Sequence, residues 1–349
     1  NSNFSNTFKL ESYLAYGTKD TDFKYTLGTS FRLKKSTNTW LGASYANDLK
    51  EAASLDFIAI NTTFSLLNLR NIYIDQLYNY KTLNIDLKHD IRPNLEAEFQ
   101  LSTGDYEPMF NYRYISSDKN LSEYRLTTTI FGLQYNPKST YMNSPIGKLT
   151  VKNEFPQFTF QATKSFENVL DSDFNFMQLN FRATHQIKRL QKATTYLVAE
   201  GGIVFGDAPI SHLFNATPNA SFKNPWAKRI GFASNNSFET MGYNEFISDR
   251  FAAIHIKHAL KPFSFGSKFK PQLIFVASAA IGEIDNPLYH NDLAFKSLKN
   301  GYLENGFELK SLFKGFGIGT FYRYGANIKA AWSDNLAVKL TYKIGLGFN

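Results

Sequence analysis

No stretch of this sequence is apolar for long enough to cross a bilayer as a helix, yet apolar residues return at every second position through run after run. The longest apolar stretches, such as "IFVASAAIG" at Ile274–Gly282, fall well short of the ~18 residues a spanning helix needs. In "NLAVKLTYKIGLGFN" at Asn335–Asn349, Val338, Leu340, Tyr342, Ile344, Leu346 and Phe348 share one face, and Lys339, Thr341, Lys343, Gly345 and Gly347 the other. Side chains of a strand alternate between faces, so this is a strand with one apolar wall. "FKYTLGTSFRL" sets Phe23, Tyr25, Leu27, Phe31 and Leu33 against Lys24, Thr26, Gly28, Ser30 and Arg32. "LEAEFQL" (Leu95–Leu101) and "MQLNFRATH" (Met177–His185) repeat the pattern.

The chain of 349 residues is 43% hydrophobic and 16% aromatic, yet its mean hydropathy is −0.31. A β-barrel in a membrane combines these, because alternation keeps the average low. A soluble sandwich or lipocalin-type barrel also alternates. Aromatics at the ends of the apolar faces (Phe23, Tyr25, Phe31; Tyr342, Phe348) suit interfacial girdles and favour the membrane barrel. The absence of Cys excludes disulfides, thiolate metal sites and cysteine nucleophiles. The net charge of +8 comes from scattered Lys and Arg, which reads as a solvated surface or an anionic-lipid rim rather than nucleic-acid binding.

The alternation predicts strands at 6–17, 22–34, 38–49, 55–66, 80–90, 94–103, 123–135, 147–165, 173–187, 193–206, 249–261, 269–283, 301–312, 316–326 and 334–348, with a bend or split at Pro156. In outer-membrane barrels one set of connections is short and periplasmic, the other long and outside. With the last strand running down, the connections 104–122, 207–248 and 284–300 fall outside and 91–93, 188–192 and 313–315 inside. The first strand then also runs down. One missing upward strand before Asn1 would complete an all-β, antiparallel, transmembrane barrel of about 16 strands. The expectation is a single C-terminal barrel domain over 1–349, the tail of a longer protein whose N-terminal periplasmic domain is absent.

Gly206–Ser248 breaks the alternation, and a structureless connection of this length is usually functional. The arrangement resembles the BamA and TamA barrel superfamily of outer-membrane assembly and translocation proteins, whose sixth outer loop folds into the lumen. More closely, "YLAYGTKDTDFKY" (Tyr13–Tyr25), "FGDAPISHLFNATPN" (Phe205–Asn219), "FETMGYNEFISDRF" (Phe238–Phe251) and "GYLENGFEL" (Gly301–Leu309) resemble a Bacteroidota family of unknown function carrying an N-terminal carboxypeptidase-regulatory-like domain. The BamA-type resemblance implies a loop tip of Arg-Gly-aromatic character that pairs with acidic wall residues. Gly242 and Tyr243 match, but Met241 stands where the Arg would be; Lys228, Arg229 or Arg250 is the substitute, against Glu283, Glu304 or Glu308. The lumen-loop candidates are therefore Phe238, Met241, Gly242, Tyr243, Glu245, Asp249 and Arg250. Phe348, with Tyr342, Ile344 and Leu346, resembles the C-terminal signal by which such barrels are recognised, although Asn349 follows it.

Catalytic groups are not clustered. His255 and His258 point to opposite faces of a strand and cannot share a metal, and no Gly-x-Ser-x-Gly elbow, Walker loop or zinc spacing occurs. Asp171 with Asp173, or Glu283 with Asp285, reads as solvated loop acids more readily than as a calcium site. The expectation is no enzyme, no cofactor and no metal. On the inner face, Glu96, Glu98, Glu200, Glu304 and Glu308 mix with Lys24, Arg32, Arg182, Arg323, Lys339 and Lys343, as in a network that holds a plug; a single-sign ring would suggest a selective pore. The expected partners are the bilayer, lipopolysaccharide and other outer-membrane or periplasmic proteins. Function is read as assembly, export or a surface complex, with a passive solute channel as the alternative.

Overall fold

The computed structural model describes residues 2–342 apart from 6, 18–20, 60–73, 75, 145–146, 190–192, 221–229, 235, 244, 265–269 and 314. The chain starts with β1 (Ser2–Ser5), β2 (Phe8–Tyr16), β3 (Phe23–Lys34), β4 (Thr39–Glu51), β5 (Leu77–Arg92) and β6 (Leu95–Pro108). Two short strands, β7 (Arg113–Ile115) and β8 (Asn120–Leu121), precede β9 (Tyr124–Tyr135), and the hairpin β10 (Thr140–Ser144) and β11 (Gly147–Lys152) follows it. Next come β12 (Gln157–Ser165), β13 (Phe176–Lys188) and β14 (Thr194–Gly206). The following connection holds β15 (Pro218–Ala220), β16 (Ile230–Phe232) and β17 (Phe238–Gly242). The chain ends with β18 (Arg250–Ala259), β19 (Gln272–Glu283), β20 (His290–Asn291), β21 (Tyr302–Phe313), β22 (Phe316–Tyr324) and β23 (Leu336–Tyr342).

One sheet of 16 strands runs β1-β2-β3-β4-β5-β6-β9-β12-β13-β14-β18-β19-β21-β22-β23-β16. All neighbours are antiparallel except β16, which lies parallel along the outer edge of β23 with Ile230 opposite Val338 and Phe232 opposite Leu340. Among the described residues β1 and β23 do not pair. The sheet is nevertheless rolled. Asn215 Nδ2 donates to Glu51 Oε1 at the end of β4 (2.8 Å), while the Asn219 carbonyl accepts from Lys339 Nζ on β23 (2.7 Å). Those strands stand eleven steps apart in the sheet, about 50 Å if it were flat at ~4.8 Å per step. Four residues of chain span at most ~14 Å, so the wall must curve around them.

Rolling turns the sheet inside out relative to a soluble protein. Leu27, Phe307 and Ile318 are 57%, 53% and 42% exposed on the outer face, whereas Glu304, Glu308, Arg323 and Lys339 are 2% exposed or less on the inner one. The connections 109–123, 207–249 and 284–301 share one rim, here the upper, and 93–94, 189–193 and 314–315 share the lower, as the alternation and loop lengths predict; the connection between β4 and β5 also leaves from and returns to the upper rim, which they did not predict.

The expected strand at 55–66 is a correction. Residues 55–59 belong to the connection 52–76 and end in a turn, and 60–66 lie outside the described residues. Phe57 and Ala59 are buried, Arg182 stacks its guanidinium on the Phe57 ring at 4.9 Å, and the Ile58 N–H donates to Gln161 Oε1 at 2.8 Å. These residues fill the inside of the roll rather than its wall. With that strand gone, the expected strands 6–17, 22–34 and 38–49 run opposite to the expected directions, and β1 is added ahead of them. The expected strand 147–165 splits at Pro156: β11 leaves the wall to pair with β10, and β12 stays in it.

Candidate functional site

The connection 207–249 descends into the roll from the top of β14. A 3-10 turn at Ile210–His212 seats against the upper rim: the Ile210 N–H donates to Tyr112 Oη (3.2 Å), Tyr124 Oη donates to Ser211 Oγ (2.8 Å), and Gln178 Nε2 donates to the His212 carbonyl (2.9 Å). Ile210, Leu213 and Ile247 pack here with Tyr78, Tyr112, Tyr114, Tyr124, Leu126, Phe174 and Phe176. Buried tyrosines suit this site because the ring supplies apolar area while the hydroxyl finds a partner. Burial also moves the histidines: the His212 pKa falls to about 3 and that of His290, whose Nδ1 lies 2.9 Å from Tyr112 Oη, to about 4. Both rings are therefore neutral at pH 7.

Deeper in, β15 pairs parallel with β17, and each residue of both strands is buried. The Glu304 carboxylate, from β21, accepts the backbone N–H groups of Glu239 (3.0 Å) and Thr240 (2.7 Å) as well as the Thr240 hydroxyl. Charge-assisted bonds of this kind are about twice as strong as neutral ones. Asn219 donates from Nδ2 to Glu239 Oε2 (2.6 Å) and to the Phe232 carbonyl (2.9 Å), and its own carbonyl accepts from Lys339. A pocket of apolar side chains, Phe238, Met241 and Phe246 against Tyr302 and Leu298, encloses this node.

The tip is held by a buried ion pair. Arg323, from β22, donates through Nη1 to Glu245 Oε1 (2.9 Å), through Nη2 to Glu245 Oε2 (2.6 Å) and through Nε to Tyr302 Oη (2.9 Å). The guanidinium lies over the Tyr302 ring at 4.5 Å, and the Gly242 N–H supplies Glu245 Oε2 with a further bond at 3.0 Å. Planar bidentate geometry is what an arginine offers and a lysine does not.

The pairing expected from the resemblance is thus inverted: the loop carries the acid and the wall carries the arginine. Met241 is fully buried in the apolar pocket, a place no arginine could take without a partner. Lys228 and Arg229 lie outside the described residues. Arg250 does meet Glu283 (3.0 Å) and Asp285 (2.6 Å), but as a cross-strand contact at the exposed top of β18 and β19, where Asp249 Oδ2 also accepts the Asp285 N–H (2.6 Å). Glu308 pairs with the wall residues Lys257 and Lys310, both at 2.9 Å. Tyr243 Oη donates to Asn219 Oδ1 (3.3 Å). Of the C-terminal set, Tyr342 lies opposite Phe316 in β22, and Ile344, Leu346 and Phe348 fall outside the described residues.

Sequence reading missed Asn215, Asn219 and Tyr302 as contacts; it placed Arg323 in the mixed-charge network of the inner face but did not pair it with Glu245. It also missed two glycines that make room for the inward segments. A Cβ at Gly202 would collide with the Phe214 ring, and one at Gly132 would stand 2.9 Å from Ile58 Cγ1. A glycine on the polar face of a strand marks close approach and was the available signal. The structure also joins His255 Nδ1 to Ser278 Oγ at 3.0 Å. Thr39 with His89 (2.9 Å) and Thr195 with His258 (2.8 Å) repeat the motif, and Phe238 covers His255 at 4.8 Å between ring centroids. It is a cross-strand tie of the wall.

Known structures share this architecture. The chain superposes on BamA from Haemophilus ducreyi lacking POTRA domains 1-3 with a TM-score of 0.52 at 10% identity, covering 90% of this chain and 60% of that one. For CdiB from Acinetobacter baumannii the TM-score is 0.51 at 11% identity, covering 95% of this chain and 52% of that one. The chain thus spans little more than half the length of either, and at such identities the likeness is one of fold. No curated protein matches the sequence. The model of the family described as "Family of unknown function (DUF5686) C-terminal domain" matches residues 1–266, and the chain belongs to that family.

Proposed function

We propose that this chain is the membrane-spanning β-barrel of an outer-membrane protein that acts without catalysis, as a component of protein assembly, export or a surface complex. The observation that carries this reading is the inward connection 207–249, held by Glu245–Arg323 and by Glu304 inside a wall that is apolar outside and charged within. Such a wall satisfies its backbone in hydrocarbon only when closed, as a barrel of about 16 strands would be. The likeness to the BamA and CdiB chains supports a barrel of assembly or export type, and the inverted latch sets this chain apart from the BamA-type pattern.

A passive channel is the second reading. It draws on a polar cavity of about 660 Å³ at the lower rim, lined by Lys9, Glu11, Asp86, Lys88, Glu96 and Glu98 among others. Ile58 and Trp40 also line this cavity, and the inward segments occupy the roll beyond it. Outer-membrane proteomics after depletion of the full-length protein separates the two. Loss of other barrels, or of one partner set, is expected for the assembly or complex role. An unchanged proteome together with steady conductance of the purified protein in planar bilayers would replace it with the channel.

A further inference from the structure

The hairpin β10–β11 forms a two-stranded sheet of its own, outside the wall. Such a ribbon is marginal in water, and among the described residues neither of its edges pairs with another strand, which leaves each open to strand addition. Its register sets Tyr141 opposite Thr150 and Met142 opposite Leu149, so the two faces differ sharply. Tyr141, Lys148 and Thr150 line the lower cavity. Met142, Leu149 and Val151 lie on the other face and are 54%, 41% and 61% exposed.

Lys148 fixes the direction of the ribbon. Its Nζ donates to Asp90 Oδ1 at 2.7 Å and to the Pro93 carbonyl at 3.3 Å, and lies 3.6 Å from Glu96. Asp90 and Pro93 stand at the foot of β5, two strands from the β9 foot where the hairpin leaves the wall. The ribbon therefore runs inward across the mouth, and its apolar face is turned away from the cavity and from the outer surface of the wall. Around its root, on the side away from Asp90 and Glu96, Lys138, Lys152 and Lys188 act on Glu154, which Lys152 meets at 2.6 Å.

We propose that β10–β11 is a docking ribbon for a second polypeptide, which lays an apolar strand flanked by carboxylates over Met142, Leu149 and Val151. Strand addition satisfies an open ribbon edge, and alternate side chains of the added strand meet the apolar face. The cationic root selects acidic flanks. It argues against a second copy of this chain, which is itself basic at +8. The inward course of the ribbon argues against lipid.

Two labelled peptides of alternating valine and threonine test this on the purified full-length protein, one ended by aspartates and the other by lysines. The aspartate-ended peptide is expected to bind, and about tenfold more weakly to the triple variant Met142→Ser, Leu149→Ser, Val151→Ser. Binding is also expected to weaken with Lys138→Glu and with added salt. The variants are first checked for an unchanged cavity-side tie by their protection from proteolysis at 148–154. Equal binding of both peptides, or binding indifferent to the triple variant, would overturn the proposal. So would a photo-crosslinker at position 149 that in cells labels only lipid. None of these outcomes bears on the assembly reading.

Discussion

Arg323 and Glu245 meet in a two-pronged ion pair, at 2.9 and 2.6 Å, with the arginine wholly enclosed. One partner comes from a wall strand and the other from the tip of the inward connection, 78 residues earlier. Taking two charges out of water is costly, and the pair offsets that cost only when both are present and well hydrogen-bonded. Arg323→Met should therefore release the tip at a cost of about 3–5 kcal/mol, as should Glu245→Met, while the double substitution recovers much of the loss. Hydrogen exchange of the amides at 238–246 in the four proteins reads the cycle. Additive effects would mean that the pair does not hold the tip.

Glu304 binds two backbone N–H groups with one carboxylate. Glu304→Gln turns one of those acceptor atoms into a donor facing Glu239 or Thr240, a loss of about 1.5–3 kcal/mol for a hydrogen bond to a charged group. Exchange at residues 239 and 240 should rise markedly. Glu308→Gln, whose partners are Lys257 and Lys310, should leave those two amides nearly unchanged. Equal protection in both variants would remove Glu304 from the latch.

Gly202 lies under the Phe214 ring. Gly202→Ala should push the ring off its seat and destabilise the upper part of the connection by about 1–3 kcal/mol, the usual cost of overpacking. Proteolysis near residues 210–216 in gently solubilised protein should accelerate for Gly202→Ala. Added to Phe214→Ala, which removes the ring the new methyl would strike, Gly202→Ala should bring little further acceleration; an equal increment in both backgrounds would show that the contact with Phe214 is not the cause.

The upper cap should loosen in acid. Burial holds His290 at about 4 and His212 at about 3, below the ordinary value near 6.5. Between those values the opened form binds more protons than the closed one, so the cap is at full strength above pH ~6.5 and weakens as pH falls toward 4. For His290 alone the whole window is worth on the order of 3 kcal/mol. Protection of 109–123 and 284–300 against exchange, corrected for the intrinsic pH dependence, should drop across it. His290→Phe should flatten the profile; an unchanged slope would show that His290 does not titrate with opening.

Alternation alone determined the wall. Val338, Leu340 and their counterparts point outward because a period of two leaves a strand no other choice once one face is apolar, and connection lengths then assigned the two rims. Alternation could not reveal that Phe57 and Ala59 fill the inside, because Leu55–Ala59 shows the same spacing as a wall strand. Nor could it pair Glu245 with Arg323. Sequence reading expected a basic loop against an acidic wall, and the actual partners stand far apart in the chain. Only the curvature of the sheet decides which wall residue the tip reaches. The sign of the latch, the seat of Phe214 over Gly202 and the inward course of the β10–β11 ribbon are all contacts across the roll. Such contacts depend on where the wall brings distant strands together, and local periodicity carries no information about that.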